Sequence, residues 1–510
     1  MRKRPSVLLI TIDQWRADSL SCAGHPVAQT PNLDGLAARG VRFARHYAQA
    51  TPCGPSRASL LTGTYLHTHR SGSNGTPLDD RFTNIAREMN RGGYHSTLFG
   101  YTDTSPDPRT IDDPRDPRLF SYEGVMAGFD PEVNLPEHLG AWGDWLRALG
   151  YEVEPGRVPE TMYRQAPLDP ASPYDPPTVY RAEHSEAAFL TERFGEWLDR
   201  QANEDPLFAH LTFIRPHPPF MAPAPWNELI DPADVPMPAR HESPAIEGEE
   251  HPLVGGALLV EIARCPDDDN DMRRLRATYW SMLAEVDHQF GKVLEHLERT
   301  GRAEDTVVIV TADHGEQLGD HWMIQKLGFF ESSYHIPLII AGPLVDASAL
   351  GTVVDEFTEN IDLMPTVLEA VGLDVPRQCE GASVLAFLRG ETPTWWRDAA
   401  HWEWDFRDPF AAEALGIRLD QCNLAVLRTR SSKYVHFAGM APAFYDLVAD
   451  PAELHNLAKE PIGRTAPGVA AAITEAAQAM LTWRLSHDDQ TLASWRITED
   501  GPLDLFDGPR

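Results

Sequence analysis

Two apolar runs of the sequence end in groups able to hold a cation. "LLITIDQ" closes on Asp13 and Gln14, and "VVIVTADHGEQLGDH" carries Asp313 and His314 past its apolar stretch. Three oxygens and one imidazole suit a divalent ion at the hard to intermediate end, such as Mn²⁺, Ca²⁺ or Mg²⁺, better than a thiolate zinc site. A single Asp after a strand ordinarily caps the next helix. Two such pairs, at strand ends that meet in one crevice of a parallel sheet, read instead as a metal site.

A third group stands in "TPCGPSRASLLTG", residues 51–63. Pro55 is favoured in a helix's first turn, so the stretch predicts a helix whose free amides and dipole face Cys53. Such a terminus favours negative charge on a nucleophile or a bound oxyanion. The spacing leaves three roles open for Cys53: a buried inert side chain, a thiolate nucleophile, or a binding position. Arg57, four residues on, falls on the same helical face one turn away.

The elements that must position these groups follow from periodicity. Continuous apolar runs at 6–12, 96–100, 207–214, 306–312 and 337–342 predict strands buried on both faces, as in a mainly parallel sheet. Helical patterns alternate with them, clearest over 272–299, where Leu275, Tyr279, Met282, Val286, Phe290, Val293 and Leu297 recur at three- and four-residue steps. Alternation of this kind predicts an α/β fold. Residues 102–180, rich in Pro, Asp and Gly, predict long loops over one end of the sheet. From about 391 an antiparallel pair at 433–437 and 443–447 and a helix over 466–484 predict a smaller α+β domain, giving expected domains of 1–390 and 391–510. The tail from about 480, with Trp483, Trp495 and Phe506, is expected to pack on a neighbouring subunit, because three large aromatics are costly to expose.

Bulk properties exclude several classes. At 510 residues and 42% hydrophobic the chain can bury a large core. A formal charge of −32 opposes nucleic acid or anionic membrane as partners, so an anionic ligand must be drawn by local positive groups. Five widely spaced cysteines suggest neither a disulfide framework nor a zinc knuckle. "MRKRPSVLLITIDQ" has a basic start, but its apolar run is short and lacks a small-residue cleavage site, so it reads as a first buried strand. No stretch is long and apolar enough to span a bilayer. The expectation is a soluble, cytoplasmic protein.

C-x-P-S-R followed by A-S-L-L-T-G resembles the sulfatase signature, and "TIDQ" and "TADHGEQLGDH" are similar to elements of the sulfatases of the alkaline phosphatase superfamily. "GYTDTSPDPRT", "RPHPPF", "HWEWDFRDPF" and "TWRLSHDDQTLASWR" resemble phosphonate monoester hydrolases and their arylsulfatase relatives. The resemblance runs nearly end to end. It implies an alkaline-phosphatase-like fold: a large mixed, mostly parallel sheet flanked by helices, with a smaller C-terminal α+β domain. It implies oxidation of Cys53 to formylglycine by a formylglycine-generating enzyme, and a divalent cation held by Asp13, Gln14, Asp313, His314 and residue 53. Gln14 and His314 replace the Asp and Asn of many sulfatases, which leans toward Mn²⁺, with Ca²⁺ the alternative.

The same resemblance assigns Arg57 to the modified side chain, Lys326 and His217 to the transferred group and leaving oxygen, and Asn74 and Tyr101 to the pocket. His69 is matched to a position that assists proton transfer, whereas His67 reads as a helix-end or pocket-lining histidine. Asp103 stands where the phosphonate hydrolases carry Thr; it could repel doubly charged groups, pair with Lys326 or Arg57, or cap a loop. The implied reaction is hydrolysis of aryl sulfates, phosphonate monoesters or both, with phosphodiesters also in range. The hydrated formylglycine attacks, His217 acts as acid, and the hemiacetal ester formed collapses by C–O cleavage. A small anionic ester is the expected substrate and a homodimer or homotetramer the expected assembly. The rivals are a choline-sulfatase-like alkyl sulfatase and a catalytically silent metal-binding protein.

Overall fold

The computed structural model describes residues 4–169, 171–201, 205–460, 464–489, 491–493 and 495–504. Eight strands form the principal sheet: β1 (Ser6–Ile12), β2 (Gly40–Tyr47), β3 (Ser96–Gly100), β4 (Asp130–Asn134), β5 (Phe208–Phe213), β6 (Thr306–Thr311), β7 (His335–Ala341) and β8 (Thr352–Glu359). Their order is β4-β3-β5-β1-β6-β7-β2-β8. Only β7 runs against its neighbours, so the sheet is mixed and mostly parallel, as the apolar runs imply. β1, β5 and β6 are buried along their whole length, as strands covered by helices on both faces must be.

Three strands escape the periodicity. β2, "GVRFARHY", carries Arg42, Arg45 and His46 among its apolar residues. β4 and β8 lie at the two edges and are largely exposed over β4 and the start of β8, where nothing selects apolar side chains. Residues 102–180 are mostly loop but also contain β4 and the helices Gly140–Ala148 and Val158–Met162. The long helix spans Asp269–Arg299, capped by the Asp268 side chain.

A second sheet holds β9 (Ala399–Asp405), β10 (Asn423–Thr429), β11 (Ser432–Phe437) and β12 (Ala443–Asp446), antiparallel throughout in the order β12-β11-β10-β9. The expected hairpin is β11 with β12, Lys433 lying opposite Tyr445. One face of this sheet joins the principal core: Trp402 stacks on Tyr47 at 5.5 Å and on Tyr334 at 5.0 Å. The other face is covered by the helix Pro467–Ser486 through Ile473, Met480 and Trp483.

Trp483 corrects the reading of the tail. It is buried within its own chain, stacked on His401 at 4.3 Å and edge-on to Tyr65. Leu481, Leu485, Leu492, Trp495, Ile497 and Leu503 do remain exposed, and Phe506 lies outside the described residues. Among the described residues no helix is long and apolar enough to cross a membrane.

The C-terminal helix is tied down by ions as well as by packing. His67 Nδ1 lies 2.8 Å from Glu403 Oε2, and Arg484 pairs with the other oxygen of that carboxylate. Burial opposes charge on His67, but Glu403 outweighs it and raises the imidazole above its ordinary value. A raised histidine contributes stability that is fully present below its unfolded pKa, about 6.5, and is lost as pH rises through the folded value. His67→Phe should therefore lower stability by on the order of 2 kcal/mol at pH 6, the scale of a hydrogen bond to a charged group, and by progressively less toward pH 9. Thermal unfolding of both proteins across that range checks this; a gap independent of pH would refute it.

Candidate active site

Four adjacent parallel strands, β3, β5, β1 and β6, end at one edge of the sheet, and the segments after them carry Tyr101 and Asp103, His217, Asp13 and Gln14, and Asp313 and His314. Cys53 arrives from a different direction. The chain leaves β2 and enters a helix, Cys53–Thr62, that is buried at every residue and stopped by Gly63 in the left-handed region at φ 69°. Cys53 is its first residue. Gly54 must be glycine there, since a Cβ would lie 2.8 Å from the Asp103 carbonyl oxygen and 3.0 Å from Asn74 Oδ1.

One ligand atom each from Asp13, Cys53, Asp313 and His314 lie within 4.8 Å of one another. Cys53 Sγ is 3.2 Å from His314 Nε2. Arg57, with no solvent exposure, organises the group: Nε donates to Asp313 Oδ2 at 2.9 Å, Nη2 to Asp13 Oδ2 at 3.2 Å and Nη1 to the Tyr101 carbonyl at 3.1 Å. Its contacts are thus with the two acids rather than with Cys53, and its plane packs 4.2 Å from the Tyr101 ring. The Tyr101 hydroxyl donates to Asp13 Oδ2, so Tyr101 also acts on an acid of the cluster.

Burial raises the cost of charge on Asp13, yet His217, His314, Arg57 and Lys326 together hold its carboxyl below the usual range. The Cys53 thiol is pushed well up, first by burial and then by Asp13. Burial and the neighbouring acids thus oppose a thiolate at Cys53, against the helix terminus that favours one.

Lys326 stands on the flank of this cluster. Its Nζ donates to Gln14 Oε1 at 2.9 Å and to His217 Nε2 at 3.0 Å. His217 Nδ1 faces the Pro218 carbonyl at 2.9 Å; Nδ1 therefore carries the proton, and Nε2 accepts from Lys326. Burial, followed by Lys326, drives the His217 imidazole down to about 3. Asn74 Oδ1 accepts from Gly54 N at 2.9 Å and so caps the helix; its amide hydrogens are the end left for a ligand. Asp103, at φ 49°, lies 3.9 Å from Arg57 Nε through Oδ2, while its buried Oδ1 has no hydrogen-bond partner. Burial first, then Asp13, raises its carboxyl well above the ordinary range despite Arg57.

His69 is placed elsewhere. Its Nε2 meets Ser59 Oγ at 2.9 Å, on the helix that begins at Cys53, and its Nδ1 accepts from Ser71 N at 3.1 Å in the segment that follows it, so neither nitrogen bonds to Cys53. Sequence reasoning passed over Glu316, whose carboxylate accepts from Gln14 Nε2, from Leu318 N at 2.8 Å and from Gln325 N at 2.6 Å. It also passed over Ser56, which donates to the Asp313 carbonyl. Both stand inside quoted motifs, but only the fold brings Glu316 to Gln14.

The donor set fits a divalent cation. Asp13 Oδ1 is buried without a hydrogen-bond partner, an arrangement costly for a carboxylate oxygen unless a cation takes it. Two carboxylates, an imidazole and the Gln14 carbonyl, which keeps one lone pair beside its bond to Lys326, are hard to intermediate donors.

A family model described as Sulfatase matches residues 5–373, and one described as N-sulphoglucosamine sulphohydrolase, C-terminal, matches residues 319–474. The chain is 39% identical to the multifunctional alkaline phosphatase superfamily protein PehA of Trinickia caryophylli, over 98% of each chain. It is 26% identical to an arylsulfatase of Clostridium perfringens, over 89% of this chain and 90% of that one. The solved phosphonate monoester hydrolase of Agrobacterium radiobacter shares 43% identity and superposes with a TM-score of 0.91, covering 98% of this chain and 99% of that one. The phosphonate monoester hydrolase of Silicibacter pomeroyi gives 39% identity and a TM-score of 0.91, covering 99% and 100%. With the family model spanning well over half of its length and its fold matched end to end, the chain belongs to the sulfatase family of the alkaline phosphatase superfamily.

Proposed function

We propose that the protein is a metal-dependent hydrolase of aryl sulfates and phosphonate monoesters, with formylglycine made from Cys53 as its nucleophilic residue. The observation that carries this reading is the position of Cys53: first residue of a buried helix, 3.2 Å from His314 and within a cluster of two carboxylates and an imidazole. Asp13, Gln14, Asp313, His314 and residue 53 would hold the cation, Mn²⁺ before Ca²⁺, and it would supply Lewis-acid polarisation of the ester oxygens. Formylglycine, once hydrated, would supply the attacking hydroxyl. The silent-protein alternative is disfavoured by Arg57, Lys326 and His217, which all converge on the cluster.

In this reading the chain's own groups divide the work. Arg57 fixes both carboxylates before substrate arrives. Burial opposes the Lys326 ammonium, while the carboxylates of Asp13 and Asp313 favour it, and in this reading it binds the anionic group. Proton delivery to the leaving oxygen falls to the Lys326–His217 pair: the ammonium, held by its bond to His217 Nε2, would donate its remaining N–H to the oxygen and be left as the neutral amine. Gln14, held by Glu316 at one end and Lys326 at the other, fixes where that ammonium sits.

Peptide mass spectrometry of the natively matured protein is expected to find the aldehyde at position 53, and Cys53→Ala should lower kcat/KM for an aryl sulfate by at least about a thousandfold. Unmodified thiol in fully active protein would sink the reading. Asp313→Ala should lose the cation, because the remaining donors are too few and Arg57 is left without one of its acids. Metal analysis after dialysis decides it: stoichiometric metal with full turnover refutes the assignment.

Asp103 bears on which ester is preferred. Its raised pKa makes it a neutral acid at low pH, and it gains charge as pH rises, when it repels a dianion more than a monoanion. Asp103→Thr should therefore raise kcat/KM for a phosphate monoester relative to an aryl sulfate by on the order of tenfold, a difference of about 1.4 kcal/mol. That gain should grow with pH. Ratios for aryl sulfate, phosphonate monoester and phosphate monoester that are unchanged at every pH would remove Asp103 from selectivity.

A further inference from the structure

The loop that presents His217 is poor in backbone donors. "RPHPPF" places Pro216, Pro218 and Pro219 around the histidine, and proline has no amide hydrogen to donate. The backbone carbonyls of this loop therefore need side-chain donors; His217 Nδ1 meets that of Pro218. Arg215 meets two others: its Nη1 donates to the His217 carbonyl at 3.0 Å and to the Pro219 carbonyl at 2.6 Å. The guanidinium is 1% exposed and packs 4.4 Å from the Tyr163 ring. Nε donates to Glu186 Oε1 at 2.6 Å, and the Tyr163 hydroxyl donates to the same oxygen at 2.8 Å.

Glu186 is in turn fixed by the fold. It is the first residue of the helix Glu186–Asp199, whose Ser185 cap accepts from Ala188 N, and a carboxylate is favoured at a helix N-terminus. A path of direct contacts thus runs from the start of that helix through Glu186 and Arg215 to the carbonyls of His217 and Pro219. Beyond the ring lies Lys326, 3.0 Å from Nε2.

We infer that Arg215, anchored by Glu186 and Tyr163, is a positioning residue: it sets the His217 ring so that Nε2 meets Lys326 where the leaving oxygen is protonated. The inference rests on the role given above to the Lys326–His217 pair. It predicts a defect that depends on the leaving group, since an ester that departs readily needs little proton transfer and one that departs poorly needs much. A lysine at this position keeps the charge but lacks the planar fork that reaches a carboxylate and two carbonyls together.

Arg215→Lys in the metal-loaded, matured protein should lower kcat for a phenyl ester by about 100-fold and for the matching 4-nitrophenyl ester by less than about fivefold, with KM and bound metal unchanged. Because removing one partner of a buried ion pair can prevent folding, the double variant Arg215→Met, Glu186→Gln removes both charges and should show the same split. A non-kinetic readout accompanies both: ¹⁵N resonances of labelled histidine should report His217 protonated at Nδ1 in the unsubstituted protein and a mixture of tautomers in the variants. Equal losses for both leaving groups, or a His217 tautomer unchanged by either substitution, overturn the inference. If the unsubstituted protein hydrolyses none of these esters, the proposed function fails on its own account, and the ¹⁵N measurement still decides what Arg215 does.

Discussion

The geometry of the site depends on one buried guanidinium. Arg57 lies between Asp13, carried by β1, and Asp313, carried by β6, and bonds to both. Two like charges 4.8 Å apart, the outer separation of the cluster's ligand atoms, would repel by about 3.5 kcal/mol at an effective dielectric constant of about 20. Arg57 offsets that repulsion and fixes the orientation of each carboxylate. It does so from the same helix that presents Cys53, one turn further on, so the position of the cysteine and the orientation of the acids are set by one rigid element. The complete burial of that helix follows from this arrangement: its first turn is part of the site and its remaining turns are part of the core.

The supporting interactions extend outward from that centre in two directions. On one side Glu316, held by two backbone amides, fixes the Gln14 amide, and Gln14 in turn fixes Lys326. On the other side Glu186 and Arg215 hold the loop that carries His217. The two chains of contacts meet at the Lys326–His217 hydrogen bond. Both begin at a buried carboxylate and end at one of the two partners of that hydrogen bond. Buried charges persist in a protein when they are paired, and here the pairing itself transmits position.

What the sequence makes legible divides along physical lines. Strands buried on both faces announce themselves through continuous apolar residues, and the residues just past their ends, Asp13 and Asp313 among them, can be read as meeting because parallel strands share an edge. Edge strands such as β4 lack that signal because water accepts their side chains, and β2 lacks it because polar residues within it find partners elsewhere in the fold, His46 bonding to Thr358 in β8 and to Asn360 just past it. Cys53 and Arg57 are legible through helical spacing. Their partners are not: Glu316 reaches a residue about 300 positions earlier in the chain, and no local pattern encodes such a meeting. His69 and Asn74 show the reverse case, where a motif points to the pocket but the three-dimensional contacts include helix capping and bonds along the helix.

Charge balance separates the roles of the two cations near Cys53. The chain carries a formal charge of −32, whose summed field opposes any anionic ester. Arg57 cannot reverse this locally, since its charge is matched by Asp13 and Asp313 in direct contact. Lys326 differs, because its hydrogen-bond partners are the neutral Gln14 amide and the neutral His217 ring. No carboxylate bonds it directly, although Asp13 and Asp313 act on it across the cluster, and at 8% exposure it is little screened by water. In the proposed reaction the pull on an anionic group would come from Lys326 together with the cation the acid cluster would hold, while Arg57 gives the cluster its shape. Interchanging the two would fail on both counts: a lysine at position 57 could not grip two carboxylates and a carbonyl in one plane, and an arginine at position 326 would present a broad fork where a compact donor must sit between Gln14 and His217.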